Sequence, residues 1–277
     1  MNKLSTARRT AILVALLKGN SIRATCRMVG VAKNTVLKLL VDVGRACAAY
    51  QHKDLRNLRC QHLQCDEIWT FVYAKARNVP PDKVFERGVG DAWTWAAIDA
   101  ETKLVPSWLI GGRDARTARM FMYDLATRLA HRVQLTTDGH HAYLHAVRDA
   151  FHNQIDYAML VKLYGGEGSM NRAETRYSPA ICNGSERITI RGEPDPDHVS
   201  MSCAERQNLT MRMSMQRFTR LINGFSKKFE NLGHAIALHF QYYNYCRRHR
   251  TINITPCQAA GVTDRQWSIE DILALID

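Results

Sequence analysis

No stretch of this sequence approaches the roughly 18 consecutive apolar residues that a membrane-spanning helix needs. The opening MNKLSTARRTAILVALLKGN is basic and then apolar, as a secretory leader would be. Its apolar run from Ala11 to Leu17 is very short, and no small-residue cleavage site follows. It reads as a helix of a soluble domain, and the chain as a cytosolic protein. Paired cysteines are lacking too: the eight thiols are scattered and no Cys-x-x-Cys occurs. Cys60, His62 and Cys65 come closest to a metal cluster, but tetrahedral zinc wants a matching second arm and none is evident. Reduced, buried thiols are the expectation. Internal repeats and low-complexity tracts are absent as well.

Acidic residues are missing from two long blocks. Residues 1–59 hold twelve Lys or Arg against Asp42 and Asp54 alone, and Arg206 to Lys228 holds six basic residues and no acidic one. Together these blocks exceed the chain's net charge of +12, so the remainder is slightly acidic. Charge gathered in this way faces a polyanion, and nucleic acid leads that class.

The 277 residues suffice for one main core and an appendage. Residues 5–19 read as a helix, with Ser5 or Thr6 as N-cap and Gly19 closing it. The following SIRATCRMVGVAKNTVLKLL has helix-turn-helix grammar. Ile22, Ala24 and Met28 would face inward on a short helix, with Gly30-Val31 as the turn. A second helix would bury Val36, Leu37 and Leu40 and present Lys33, Asn34, Thr35 and Lys38 to the DNA major groove. Residues 1–45 form this expected unit, and 46–62 a continuing helix and linker.

From residue 63 to 245 the pattern becomes strand-strand-strand-helix-strand-helix-strand-helix. Expected strands cover Asp66 to Ala76, Trp93 to Ile98, Leu104 to Ile110, Val133 to Thr137 and Tyr157 to Tyr164, and Asp99 would sit in a hairpin turn. Thr117 to Leu129, His140 to Phe151 and the chain from Ala204 to about Tyr245 read as helical, the last broken near Gly224. Residues 165–200 are Gly-rich and then Pro-rich, with one short strand at Ile188 to Ile190. A tail from 246 to 277 ends in a helix capped by Ser268. This order describes an α/β domain in which three antiparallel strands continue into parallel ones.

Three carboxylates fall where such a sheet could gather them. Asp66 would start the first strand, Asp138 follows the fourth, and Glu205 opens a helix that can cross the same sheet end. Hard oxygen ligands from separate elements are what Mg²⁺ or Mn²⁺ requires, and two such ions promote phosphodiester displacement. Helical spacing puts Asn208 and Arg212 on the face of Glu205, where they could hold a scissile phosphate. Arg217, Arg220, Lys227 and Lys228 would extend a basic surface along the DNA backbone. Each acid alone is a weak signal. Asp138-Gly139 is a common turn pair, and Glu67 rivals Asp66, although strand alternation should let only one line the site. His140 and His141 read as exposed residues at a helix start.

Taken jointly, CDEIW, TTDGHHAY and AERQNLTMRMSMQRF, following a helix-turn-helix, resemble the DDE transposases of the insertion sequence one family. The tail YNYCRRHRTINITP is similar to the end of retroviral-integrase-like transposase cores. The likeness covers nearly the whole chain except 165–200. It implies an RNase H-like catalytic fold with Asp66, Asp138 and Glu205 as ligands to two Mg²⁺ or Mn²⁺ ions. It implies hydrolysis at transposon ends, attack of the freed 3′-OH on target DNA, and a homo-oligomer on paired terminal inverted repeats. Asp138 and Glu205 lie further apart than in the best-known members, which places an insertion at about 165–200, and the cysteine-pair finger of some relatives is missing. Two other readings stand beside it: a non-catalytic helix-turn-helix regulator, and a metal-dependent nuclease or resolvase of the same fold.

Overall fold

A computed structural model describes residues 4–164, 182–219 and 224–277. Three helices open the chain: α1 (Thr6–Leu17), α2 (Ile22–Val29) and α3 (Lys33–Asp54). Ser5 and Ser21 cap the first two, each hydroxyl accepting a backbone N–H of the first turn. Gly30, at φ 66°, ends α2 in the left-handed conformation that favours glycine. The inward stripe of α2 is buried Thr25 with half-buried Ile22, Cys26 and Val29, an i, i+3, i+4, i+7 set packed against the core. Met28, expected inward, is 65% exposed because it lies off that stripe. On α3, Val36, Leu39 and Leu40 are buried, while Lys33, Asn34 and Lys38 are exposed and Thr35 is half-buried.

The linker expected at 46–62 is helical through Asp54. Its apolar positions continue the stripe of α3, so Val43 and Cys47 pack into the same core as Leu63, Trp95 and Leu238. Arg128 closes this helix from below. Its guanidinium donates to the Gln51 and Leu55 carbonyls and forms a two-pronged pair with Asp124.

A six-stranded mixed sheet follows, in the order β3-β2-β1-β4-β5-β6. Its strands are β1 (His62–Val72), β2 (Gly90–Asp99), β3 (Trp108–Gly111), β4 (Val133–Thr137), β5 (Ile155–Tyr164) and β6 (Cys182–Arg191). The pairs β1–β2, β2–β3 and β5–β6 are antiparallel, and β4 runs parallel to both β1 and β5. Helices α4 (Ala115–Ala126) and α5 (Ala142–Phe151) cover one face, and α6 (Ser202–Ser214) lies against the other with α7 (Phe229–Gln241). Short helices α8 (Pro256–Ala259) and α9 (Ile269–Ala274) end the chain. The Ser268 cap of α9 is present as a full capping box with Asp271. The tail returns to the start: Arg9 pairs with Asp277 at 2.7 Å and Thr10 donates to Glu270.

Two differences from the sequence expectation bear on the site. First, β1 begins at His62, so Asp66 lies within the strand and not at its start. Second, Leu104 and Val105 are buried outside any regular strand, since Val105 exchanges both backbone hydrogen bonds with the Asn244 side chain. The insertion at 165–200 contributes β6, which is exposed along most of its length, with Ile188 and Ile190 the apolar positions. Residues 165–181 lie outside the described residues.

Candidate metal centre and cationic cleft

Strand register brings the two aspartates together. Parallel β1 and β4 are paired as far as Cys65 opposite Thr137, so Asp66 and Asp138 are the next residues of two adjacent chains running the same way. Alternation sends Leu63, Cys65 and Glu67 toward α4 and α5, and Gln64, Asp66 and Ile68 toward α6. Gln64 then docks α6: its side-chain oxygen accepts the N–H groups of Cys203 and Ala204, at 2.8 and 3.2 Å. These are orphan donors of a helix whose N-cap, Met201, offers no side-chain acceptor.

Among the described residues, one ligand oxygen each from Asp66, Glu67 and Asp138 lies within 4.8 Å of the others. Glu67 therefore joins the group, contrary to the expectation that alternation would exclude it. The reason is placement: Asp138 sits past the end of β4, beside the edge of β1, and its carboxylate meets neighbours from both faces. Glu205, in the first turn of α6, is exposed and ion-paired with Lys162 of β5. It stands outside the 4.8 Å group, yet its charge still reaches Asp66.

The group is electrostatically strained. Burial, then the charge of Asp138, raises the Asp66 carboxyl to about 6, although the Glu67 N–H and Asn208 oppose the shift. Burial and Asp138 likewise raise Glu67 to about 7. Arg113 is the cation that answers them, with Nε 3.1 Å from Glu67 and one terminal nitrogen 3.4 Å from Asp138, its plane over the Trp93 ring. The second Glu67 oxygen is buried, and the buried Tyr143 hydroxyl is its neighbour and favours the ionised carboxylate. Three carboxylates with oxygens this close, and one arginine between two of them, fit a divalent, oxygen-seeking ion such as Mg²⁺ or Mn²⁺.

A stability prediction follows for the metal-free protein. A glutamate that holds its proton to about pH 7 when folded, against 4.5 in the ordinary case, favours the folded state at low pH. That advantage declines as pH rises from 4.5 to about 7, by at most roughly 3 kcal/mol. Thermal melts in a chelator should show the decline in wild type and a flatter profile for Glu67→Gln. Identical profiles would remove Glu67 from the strained group.

Of the residues expected to touch DNA, Asn208 instead turns inward: it is buried and donates to Asp66 at 2.8 Å. It orients a candidate ligand. Arg212 is half-buried on the same helix. Arg220 lies outside the described residues. The remaining cations meet across space. Lys33, Arg217, Lys227 and Lys228, with Arg23, line one cleft of about 800 Å³ between the start of α3 and the segment joining α6 to α7. Among the described residues, no acidic side chain lines it. Arg217 is partly buried there, its guanidinium donating to Ser226 at 2.8 Å, and burial lowers it to about 10, still a cation at neutral pH. Thr70 of β1 donates to its carbonyl, which ties the cleft to the strand that carries Asp66. Lys38 lies apart, paired with Asp42 at 2.5 Å.

Arg113 carries no signal in the sequence, because it sits in an ordinary-looking loop before α4. His140, expected exposed, rests half-buried against Trp95, with its ring lowered in pKa by burial and then by Arg113. Its backbone N–H donates to Asp138 at 3.0 Å. None of the described helices is long and apolar enough to cross a membrane. No protein-family model matches the chain, and no curated protein matches it.

Proposed function

We propose that this chain is a metal-dependent enzyme of phosphodiester cleavage and joining. Within that class it is a DNA transposase of the DDE type, resembling the insertion sequence one family. One observation carries the reading: parallel β1 and β4 deliver Asp66 and Asp138 side by side, next to the Glu67 carboxylate and beneath the helix that bears Glu205. The strand order and directions support an RNase H-like catalytic fold, and α2 and α3 support a helix-turn-helix.

Asp66, Asp138 and Glu205 would hold the ions, with Glu67 beside them. Two such cations supply activation of the attacking oxygen and stabilisation of the leaving one. The chain itself positions. Asn208 fixes one Asp66 oxygen and the Glu67 N–H fixes the other. Arg113 and the His140 N–H hold Asp138 in place. Lys162 pairs with Glu205 at the surface and would give up that carboxylate, and then face phosphate, when the ions and DNA arrive. The cleft cations grip the backbone of the transposon end, and Lys33, Asn34 and Thr35 face its major groove. The bound form is a homo-oligomer on paired ends in the cytosol.

The reading is tested by strand transfer with a labelled, pre-cleaved end from the element's own flanks and a plasmid target in Mg²⁺. Joined product supports a transposase; cutting without joining supports a nuclease; binding alone supports a regulator. A further result is expected at the cleft. Each phosphate contact contributes about 0.9 to the slope of log K against log salt. Replacing Lys227 and Lys228 together by Ala should flatten that slope by about 2 in fluorescence anisotropy with duplex DNA. An unchanged slope would take both lysines off the DNA.

A further inference from the structure

A second cluster of metal-ligating side chains lies away from the aspartates. His62 opens β1, Glu101 occupies the turn after β2, and His198 ends the single helical turn Pro196–His198 that precedes α6. One ligand atom from each lies within 4.8 Å of the other two. His62 Nδ1 is 2.5 Å from a Glu101 oxygen, and the two imidazoles lie parallel with centroids 3.8 Å apart. Asp195, at the start of the same turn, has an oxygen 3.8 Å from His198 Nε2. We propose that His62, Glu101 and His198, with Asp195 or water as the fourth donor, form a site for a zinc-like transition-metal ion.

The donor set names the ion class. Two imidazole nitrogens and one or two carboxylate oxygens suit Zn²⁺, Co²⁺ or Ni²⁺, whereas Mg²⁺ prefers oxygen alone. Tetrahedral ligands at about 2.0–2.1 Å from zinc stand roughly 3.4 Å apart. The His62 nitrogen and the Glu101 oxygen must therefore part by roughly 0.9 Å, the wider pairs must close by up to roughly 1.4 Å, and the His198 ring must rotate out of its stack, which a side chain 46% exposed can do.

All three arms are fixed to the sheet by other bonds, so the donors are brought together in advance. Asp99 accepts from Gln61 N, Thr102 N and Thr102 Oγ1, and Ala100 N donates to the His62 carbonyl, which locks the Glu101 turn onto β1. The Gln134 amide of β4 exchanges two hydrogen bonds with the Asp195 backbone, at 2.8 and 2.9 Å, and holds the His198 turn. Preorganised donors on rigid elements are what a metal site requires. Cys60 and Cys65, the neighbours that the sequence offered as thiol ligands, are instead buried, and burial raises both thiols.

His62 and Asp66 are four residues apart on one strand, about 13 Å, so the two clusters cannot share an ion. The ion proposed here is structural. It pins the approach to α6, four residues before Ser202, and so helps place the helix that carries Glu205. The site does not depend on the enzyme being a transposase.

The test is Zn²⁺ and Co²⁺ binding to the full chain carrying Asp66→Asn and Asp138→Asn, with millimolar Mg²⁺ present to suppress the first cluster. One equivalent should bind, with visible Co²⁺ bands of four-coordinate character and without thiolate charge transfer. His198→Ala and His62→Ala should each weaken it on the order of a hundredfold or more, since even outer partners of metal ligands are worth ten- to a hundredfold. Circular dichroism checks the fold of each variant. Histidine-ring NMR of the parent should show metal-dependent shifts confined to these two imidazoles, which decides the matter if either variant misfolds. Absence of tight binding, binding indifferent to both substitutions, or thiolate bands would overturn the site.

Discussion

Asp138→Asn should abolish joining of a pre-cleaved end to a target plasmid, with a loss of at least about 10³-fold, or roughly 4 kcal/mol in the barrier. Binding of duplex DNA should survive, because the cationic cleft is built from other residues. The substitution is the cleanest available at the site. An asparagine oxygen can still accept the His140 N–H, so the local turn keeps its hydrogen bond while the metal-binding charge is lost. Asp66→Asn should be as inactive but less clean, since its new amide can face that of Asn208 donor to donor. The third carboxylate is the point at issue. Glu205 follows the DDE reading but is engaged by Lys162, whereas Glu67 already lies in the cluster but is held by Arg113 from the other face of β1. Glu205→Gln should therefore be as inactive as Asp138→Asn, and Glu67→Gln should retain joining. The reverse outcome would transfer the third ligand to Glu67 and end the DDE assignment. Full activity in Asp138→Asn would end the metal-centre reading altogether.

Some of this was legible in the residues and some could not be. Val133–Thr137 is legible to the residue because Val133, Thr136 and Thr137 are β-branched and the run stops at the turn pair Asp138-Gly139. The Ser268 cap was read because its hydroxyl and Asp271 form a local signal three residues long. The start of β1 is not legible, because Gln64 looks like a loop residue until α6 is present to receive its side-chain oxygen. Val105 looked like strand, but its ladder bonds go to Asn244, more than a hundred residues away in the chain. The proximity of Asp66 and Asp138 needed only the expectation of parallel strands, whereas the inclusion of Glu67 needed the register. The separate basic blocks were visible as charge, but their union in one cleft depends on how α3 packs along the core. In each failure the deciding partner was remote in sequence, where periodicity and capping carry no information.

Asp124→Ala should lower the unfolding free energy by about 3 kcal/mol, measured by chemical denaturation. Asp124 and Arg128 lie on and just after α4, and Arg128 is 7% exposed. Its nitrogens meet Asp124 at 2.7 and 3.1 Å and reach the Gln51 and Leu55 carbonyls at the end of α3, where a helix leaves acceptors unmet and favours a cation. Gln51 in turn donates to Ala237 of α7 and accepts from the Trp108 indole of β3. Removing the carboxylate leaves a buried charge half-answered and takes an acceptor from Ser107, so the loss should exceed the few tenths typical of an exposed pair. Burial would raise Asp124, but hydrogen bonds from Arg128 and Ser107 overcome it and hold the carboxyl below its ordinary 3.8. The stabilisation is thus present above that value and lost as pH falls through the folded one, so wild type should weaken in that acid window while Asp124→Ala does not. Because the clamp joins α3 to the sheet, loosening it should also loosen the geometry that carries Lys33 to the cleft. DNA affinity should fall together with stability. A loss below about 0.5 kcal/mol, or one without acid dependence, would show that α3 is held by its apolar stripe alone.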